Sequence, residues 1–133
     1  MDGLILHRAF REASLAELRP DPADFSPAEE RYLARAAHQA GSRAARALAK
    51  ALLSEWLQAR GVTHSLCVLE ILPVTDGPPE FHLPEGLLPA DCRLHVSLSH
   101  SRTHAAALVV VEGEMDACPG PARGRPRAGP GQA

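Results

Sequence analysis

The stretch Val96–His100, which reads V-S-L-S-H, and the apolar run from Ala105 to Val111 constrain the fold more than any other part of the chain. The first alternates apolar and polar side chains, as a half-buried strand does. A short polar turn leads into the second, which is apolar throughout and predicts a buried strand. Two hydroxyl groups and an imidazole therefore stand beside a strand end. They either hold an oxyanion or phosphate, or simply complete a hairpin.

Length and charge limit the class of protein. With 133 residues the chain is large enough for one domain with a core but not for two. Its 14 Lys and Arg residues nearly balance its 16 Asp and Glu residues, which does not predict nucleic-acid binding. No apolar run approaches the roughly 18 residues of a membrane span, and the N-terminus lacks the features of a signal peptide. We expect a cytoplasmic protein that binds neither nucleic acid nor membrane.

Metal-binding and disulfide patterns are absent from the sequence. The three cysteines are odd in number and widely spaced, and they form no CxxC pair, so neither a zinc site nor a disulfide framework is predicted. A reducing compartment fits this usage best. His95, His100 and His104 match no standard metal-binding spacing. We therefore expect no metal site.

Local patterns in the N-terminal half predict a strand followed by helices. Leu4–His7 is predicted as a short strand, and residues 9–18 as a helix that ends before two prolines. The main helical region runs from Pro27 toward Arg60, with a break near Gly41. Ser26 is the expected N-cap and Glu29 completes a capping box, while Gly61 has the position of a C-cap glycine. The N-terminal half is therefore predicted to be mainly helical after a short first strand.

The C-terminal half reads as strands joined by turns. Strands are predicted over residues 66–74, 80–83, 95–100 and 105–112, with a turn at 76–79 and a loop or short helix at 84–91. After residue 112 the chain is rich in Pro, Gly, Ala and Arg and has almost nothing to bury. We expect a folded domain over residues 1–112 and a disordered tail over 113–133.

The long helix carries the first candidate binding residues. Arg46, Lys50 and Ser54 recur every four residues and therefore share one helical face. Arg46 and Lys50 either grip a phosphate or carboxylate together, or merely solvate an exposed face. Leu48, Leu52 and Trp56 form the expected core stripe. Trp56 is expected in the core or in a subunit contact, and we also include it among the substrate-binding candidates.

Four motifs, in order, resemble the small holo-acyl-carrier-protein synthases, which are 4′-phosphopantetheinyl transferases. Residues 25–32 look like that family's F-T-x-x-E-x-x-Y segment, and residues 46–50 like its R-F-A-x-K signature. Residues 76–83 fall where the family has a Gly-x-Pro hairpin, and residues 96–100 match its V-S-L-S-H strand. The resemblance covers roughly residues 3–112. It implies an α+β fold of the phosphopantetheinyl transferase type, with an antiparallel sheet packed on helices, and assembly as a homotrimer with active sites at subunit boundaries.

The chain departs from the family at the magnesium site. The Asp in the family's first strand corresponds to His7, and the Glu that completes the metal site corresponds to Ala51. The second Lys of the family's K-E-x-x-x-K motif corresponds to Glu55, which reverses its charge. Asp2 lies too early to replace the lost Asp. Magnesium prefers carboxylate and phosphate oxygens, and its loss from a phosphoryl-transfer site costs orders of magnitude in rate. The alternative is that Glu55 or Asp2 serves as a metal ligand.

This loss leads to a prediction of new chemistry in an old cleft. We predict an enzyme without metal or cofactor that binds a hydrophobic small molecule and promotes a cyclisation or cycloaddition step in polyketide secondary metabolism. Two alternatives stay open. One is a 4′-phosphopantetheinyl transferase that uses Mg²⁺ and coenzyme A, and the other is a non-catalytic pseudoenzyme that binds acyl carrier protein.

The candidate site residues face the expected cleft. His7, His100 and Ser99 are the predicted catalytic residues, with His7 as hydrogen-bond donor or general base. Each also has a simpler interpretation: His7 as an ordinary strand residue, and the other two as parts of a hairpin network. The predicted substrate-binding residues are Arg46, Lys50, Ser97 and Trp56.

Overall fold

The computed structural model describes residues 4–75 and 77–113, which form an α+β fold. The elements in chain order are β1 (Leu4–Ser14), α1 (Pro27–Ala34), α2 (Gln39–Ala59), β2 (Glu70–Pro73), β3 (Pro79–His82), β4 (Arg93–His100) and β5 (His104–Gly113). Two short 3-10 turns lie at Pro22–Asp24 and Leu66–Val68. The α+β class and the antiparallel sheet on helices are confirmed. The predicted tail and residue 76 of the predicted turn lie outside the described residues.

The main sheet has three antiparallel strands in the order β1-β5-β4, and α2 packs on one of its faces. The apolar run of β5 makes it the central strand, because its alternate residues Ala105, Ala107, Val109 and Val111 are buried beneath α2. We call this side of the sheet the inner face. The opposite side is the outer face, formed around Phe10, Ser97 and Leu108. The hairpin of β2 and β3 packs beside β4.

The helices begin and end largely where the sequence predicts. The Ser26 side chain accepts from the Glu29 N–H, and the Glu29 carboxylate accepts from the Ser26 N–H, so the predicted capping box is present. Gly61 adopts a φ of 82°, and the N–H of Val62 donates to the Leu57 carbonyl, which closes α2 as a C-cap glycine permits. The break between the helices lies at residues 35–38, a few residues before the predicted position.

A buried ion pair joins α1 to α2. The Lys50 Nζ lies 2.7 Å from the Glu29 carboxylate, and both side chains have 0% exposure. Lys50 also donates to the carbonyls of Asp24 and Leu66. The other Glu29 oxygen accepts from the Ile71 N–H at 2.8 Å. Because every charge-bearing group has partners, the pair avoids the cost of an unpaired buried charge, and it fixes both helices against β2.

Two predictions of secondary structure are wrong. Residues 9–18 were expected to form a helix, yet β1 continues through Ser14. The composition of this segment favours a helix locally, but pairing along the whole of β5 outweighs that propensity. The predicted strand over 66–74 is divided, because a 3-10 turn at Leu66–Val68 precedes the shorter β2. The strands predicted at 80–83, 95–100 and 105–112 are confirmed within two residues.

Two further findings concern the cysteines and membranes. Cys92 is disulfide-bonded, which corrects the expectation that no cysteine is paired, whereas Cys67 has a free thiol. Within the described ranges, no helix is long and apolar enough to span a bilayer.

Replacing Lys50 by Met should destabilise the fold by about 3–5 kcal/mol, because Glu29 would be left as an unpaired buried charge. Arg43→Met is the matched control. Arg43 also lies on α2, pairs with an α1 glutamate and contacts the Phe25 ring, but its pair with Glu30 is partly exposed. Its loss should cost about 1 kcal/mol. Urea unfolding of both variants measures the difference in the free energy of unfolding.

The double variant Glu29→Leu with Lys50→Met should regain part of that loss, because no buried charge remains. Equal destabilisation by Lys50→Met and Arg43→Met would show that the buried pair has no special role.

Candidate functional site

Interactions between β1 and α2 join four residues, and we call these four, together with Ala51 one helical turn before Glu55, the His7 corner. His7 and Arg11 lie on β1, and Ala51, Glu55 and Trp56 lie on α2. The strand alternation brings His7 and Arg11 to one face, although a register shift between Ile5 and His7 interrupts the pairing with β5. Ala51 and Glu55 are one helical turn apart. His7, Ala51 and Glu55 are the three positions at which the sequence resemblance predicts a departure from the family's metal site.

The imidazole of His7 packs on Trp56, with ring centroids 6.1 Å apart and an interplanar angle of 28°. Burial lowers the pKa of His7 below its ordinary value of 6.5, and the negative charge of Glu55 opposes this shift only in part. His7 is therefore mainly neutral at pH 7. A neutral imidazole can accept a proton from a nearby hydroxyl, which fits the predicted role of His7 as a general base.

Glu55 is held by Arg11 in a bidentate pair. The two terminal guanidinium nitrogens of Arg11 lie 2.8 and 3.0 Å from the two oxygens of Glu55. Hydrogen bonding from Arg11 is the largest cause that lowers the pKa of Glu55. Both side chains remain partly exposed, at 42% for Arg11 and 58% for Glu55. The pair is thus open to solvent and to ligands.

The residues of the His7 corner do not fit a magnesium ion. Mg²⁺ is held by oxygen ligands with strict geometry, but neutral His7 offers only nitrogen and Ala51 offers no ligand atom. Glu55 is the one carboxylate, and Arg11 already occupies both of its oxygens. Across the described residues, no group of three His, Cys, Asp or Glu side chains is placed to hold a metal.

His100 lies at the other end of the sheet. Its ring makes an edge contact with His38 at 6.0 Å between centroids, beside a cleft of about 450 Å³. Gly41 allows this approach, since a Cβ there would lie 2.4 Å from the His100 Nδ1. The β5 partners of His7 and His100 are Val111 and Ala105. Six residues of strand separate them, or roughly 20 Å. The predicted catalytic histidines therefore do not meet within one chain.

Of the two serines, Ser99 lies near His100, because both residues line a small cleft of about 150 Å³ together with Glu12 and His104. Pairing with Leu108 and Ala106 places both hydroxyls on the outer face, whereas His100 belongs to the inner side of the same strand. Both serines are exposed. Ser97 is not among the residues that line this cleft, and the roles predicted for Ser99 and His100 remain predictions.

The face shared by Arg46, Lys50 and Ser54 is buried, so the solvated alternative is wrong. Lys50 uses its three N–H groups on Glu29 and two carbonyls, which leaves none for a substrate and corrects its assignment as a binding residue. Arg46 is 5% exposed and stacks on Tyr32 at 4.8 Å. Burial is the largest cause that lowers the pKa of Arg46.

Trp56 belongs to the core, as its position in the apolar stripe of α2 predicts, and its ring also stacks on the imidazole of His7. Sequence reasoning missed the roles of Arg11 and of the Ser54–His64 pair, whose Oγ and Nε2 lie 2.9 Å apart. The charge reversal at Glu55 was the one available signal for Arg11. To use that signal, one would have had to predict that β1 extends as a strand to residue 11.

Solved structures resemble this chain along most of its length. A Mycobacterium tuberculosis acyl carrier protein synthase shares 27% identity over 82% of this chain and 98% of its own, with a TM-score of 0.63. A Thermotoga maritima holo-[acyl-carrier-protein] synthase shares 24% identity over 84% and 66%, with a TM-score of 0.69. A Chronobacterium ammoniagenes ACPS–CoA complex shares 23% identity over 80% and 96%, with a TM-score of 0.65. No protein-family model and no curated protein matches the sequence.

The fold is therefore similar to that of acyl carrier protein synthases, and the resemblance seen in the four sequence motifs is confirmed.

The lowered pKa of His7 makes stability depend on pH. In the unfolded chain His7 takes up a proton near pH 6.5, whereas in the fold it does so at lower pH. Its contribution is complete above pH 6.5 and is lost as the pH falls through the folded pKa. Because glutamine does not titrate, the difference in the free energy of unfolding between wild type and His7→Gln should shrink from pH 7.5 toward pH 5. Urea titrations at several pH values measure it, and a difference independent of pH would contradict the assignment.

Proposed function

We propose that this chain transfers 4′-phosphopantetheine from coenzyme A to a serine of an acyl carrier protein. The observation that carries the proposal is the likeness to acyl carrier protein synthases over more than 80% of the chain. Three motifs that carry the sequence resemblance also support it, because V-S-L-S-H forms part of β4, and the capped α1 and the R-A-L-A-K segment of α2 supply Glu29 and Lys50 to the buried ion pair. We keep the cytoplasm as the expected location.

In this reaction the serine Oγ of the carrier protein attacks the phosphorus that bears the pantetheine. A new P–O bond forms, the bond to the bridging diphosphate oxygen breaks, and adenosine 3′,5′-bisphosphate leaves with the electron pair. The serine proton passes to a base. His7 is suited to accept it, because its lowered pKa keeps the ring neutral at pH 7.

A second candidate is a carrier-binding protein that performs no transfer. The specific observation in its favour is that neither His7 nor Ala51 supplies the hard oxygens that phosphoryl transfer uses to hold a metal. In that case the chain would bind acyl carrier protein and leave it unmodified.

The hydrophobic-metabolite cyclase draws no support from the arrangement of the site. The predicted catalytic residues His7, His100 and Ser99 do not border one cavity. A partly apolar cleft of about 600 Å³ exists, but it is lined by residues of the β3–β4 region such as Phe81, Leu83 and Leu94. We therefore favour chemistry on coenzyme A and carrier protein over cyclisation.

Mass spectrometry of an apo acyl carrier protein incubated with coenzyme A and the full chain tests the transferase proposal. We predict a mass increase equal to one phosphopantetheine. A carrier in which the acceptor serine is replaced by alanine should show none. His7→Gln should slow the reaction by about a hundredfold, the usual range for a general base, while His82→Gln on the exposed hairpin should match wild type.

An unmodified carrier, with an established synthase active in parallel, would reject the transferase proposal. Co-elution of that unmodified carrier with the chain would then favour the non-catalytic candidate, and its absence would reject both.

We also propose that the chain assembles as a homotrimer through the outer face. Phe10 is 64% exposed at the centre of this face, beside Leu108 and Val110 of the central strand. Such a patch is typical of an interaction surface. Sites at subunit boundaries would let the His100 end of one copy approach the His7 corner of the next.

Light scattering coupled to size exclusion tests the assembly. The wild-type chain should have the mass of a trimer, and Phe10→Asp with Leu108→Asp should have that of a monomer, because charges would be buried in the interface. Val74→Asp replaces another exposed apolar residue, which lies just after β2 and away from the outer face, and should leave the mass unchanged. A monomeric wild type would contradict the proposal.

A further inference from the structure

The Arg11–Glu55 pair joins β1 and α2, the two elements that carry His7 and Ala51, the positions matched by sequence to the family's metal ligands. Arg11 lies on the same face of β1 as His7, and Glu55 lies one turn after Ala51 on α2. The pair is the direct charged link between these two elements at the His7 corner. Glu55, whose charge acts on His7, thus carries the positive charge of Arg11 on its two oxygens.

Charge at this corner is balanced without any cation. His7 is mainly neutral at pH 7, Arg11 is positive and Glu55 is negative, so their formal sum is zero. Two carboxylates in place of His7 and Ala51 would have created the negative field that attracts a divalent ion. In this chain the Arg11 guanidinium supplies a positive charge without a pair of carboxylates and a divalent ion.

The guanidinium of Arg11 is suited to an exchange of partners. Its planar fork binds carboxylate and phosphate in the same bidentate manner. It already holds Glu55 through both terminal nitrogens, at 2.8 and 3.0 Å. Because Arg11 and Glu55 are both partly exposed, a phosphate can reach the guanidinium without disturbing the core.

We infer that Arg11 does the work of a divalent cation in this chain, by leaving Glu55 and gripping a phosphate oxygen pair of a diphosphate ligand. Glu55 holds Arg11 in place until the ligand arrives and competes with it for the guanidinium. Binding of the diphosphate is then independent of magnesium. This inference rests on the proposed function for the choice of coenzyme A as the ligand.

Isothermal titration of coenzyme A into the full-length chain tests the inference, once in EDTA and once in magnesium chloride. The dissociation constant should agree within about twofold between the two buffers. Arg11→Gln should weaken binding by about tenfold or more, the size expected for a lost charge-assisted pair. Glu55→Gln should tighten it several-fold, because Arg11 no longer has a charged competitor.

Arg43→Gln removes another bidentate arginine–glutamate pair, away from the His7 corner, and is the matched control that should bind as wild type does. Urea unfolding of each variant confirms that it is folded before binding is compared. Equal affinity of Arg11→Gln and wild type would overturn the inference, as would an affinity that rises more than tenfold with magnesium.

Its failure is distinct from failure of the transferase proposal. If Arg11→Gln weakens coenzyme A binding but the carrier protein stays unmodified, the inference is supported and the transferase proposal is rejected. If the carrier protein is modified but coenzyme A binding depends on magnesium, the transferase proposal is supported and the inference about Arg11 is rejected. If the wild-type chain binds no coenzyme A in either buffer, the inference is overturned.

Discussion

The buried contact of Lys50 with Glu29 is the interaction on which the rest of the structure depends. Two opposite charges with no exposure are costly to bury unless each is fully satisfied. Here Glu29 accepts from Lys50, from the Ile71 backbone and from the capping Ser26, and Lys50 donates to two further carbonyls. Five segments of the chain converge on one ion pair. The alignment of α1, α2 and β2 follows from it.

This anchoring separates the scaffold from the site. Lys50 and Ala51 are neighbours in sequence but lie on different faces of α2, the first buried in the ion pair and the second near His7. Substitutions at the His7 corner can therefore change its chemistry while the fold is kept. That separation explains how residues of the His7 corner can vary while the fold stays similar to that of acyl carrier protein synthases.

Local signals predicted much of the fold. The capping box at Ser26 and Glu29 and the C-cap at Gly61 are decided by a few adjacent residues, and both are present. β4 was predictable from its alternation of apolar and polar side chains, and β5 from its continuous apolar run. Only the start of β1 was predicted, because the residues after His7 favour a helix until they pair with β5. The site was harder, since the contact of Arg11 with Glu55 spans 44 positions. Likewise, the burial of Lys50 depends on tertiary partners that no spacing reveals.

The rate of phosphopantetheine addition to an acyl carrier protein, followed as magnesium is raised from zero in EDTA to millimolar concentrations, tests the central claim most directly. The account predicts measurable transfer in EDTA and a rate that does not change with magnesium, because protein side chains supply the charge. A rate that is absent in EDTA and rises with magnesium would contradict it, and so would the absence of transfer under every condition.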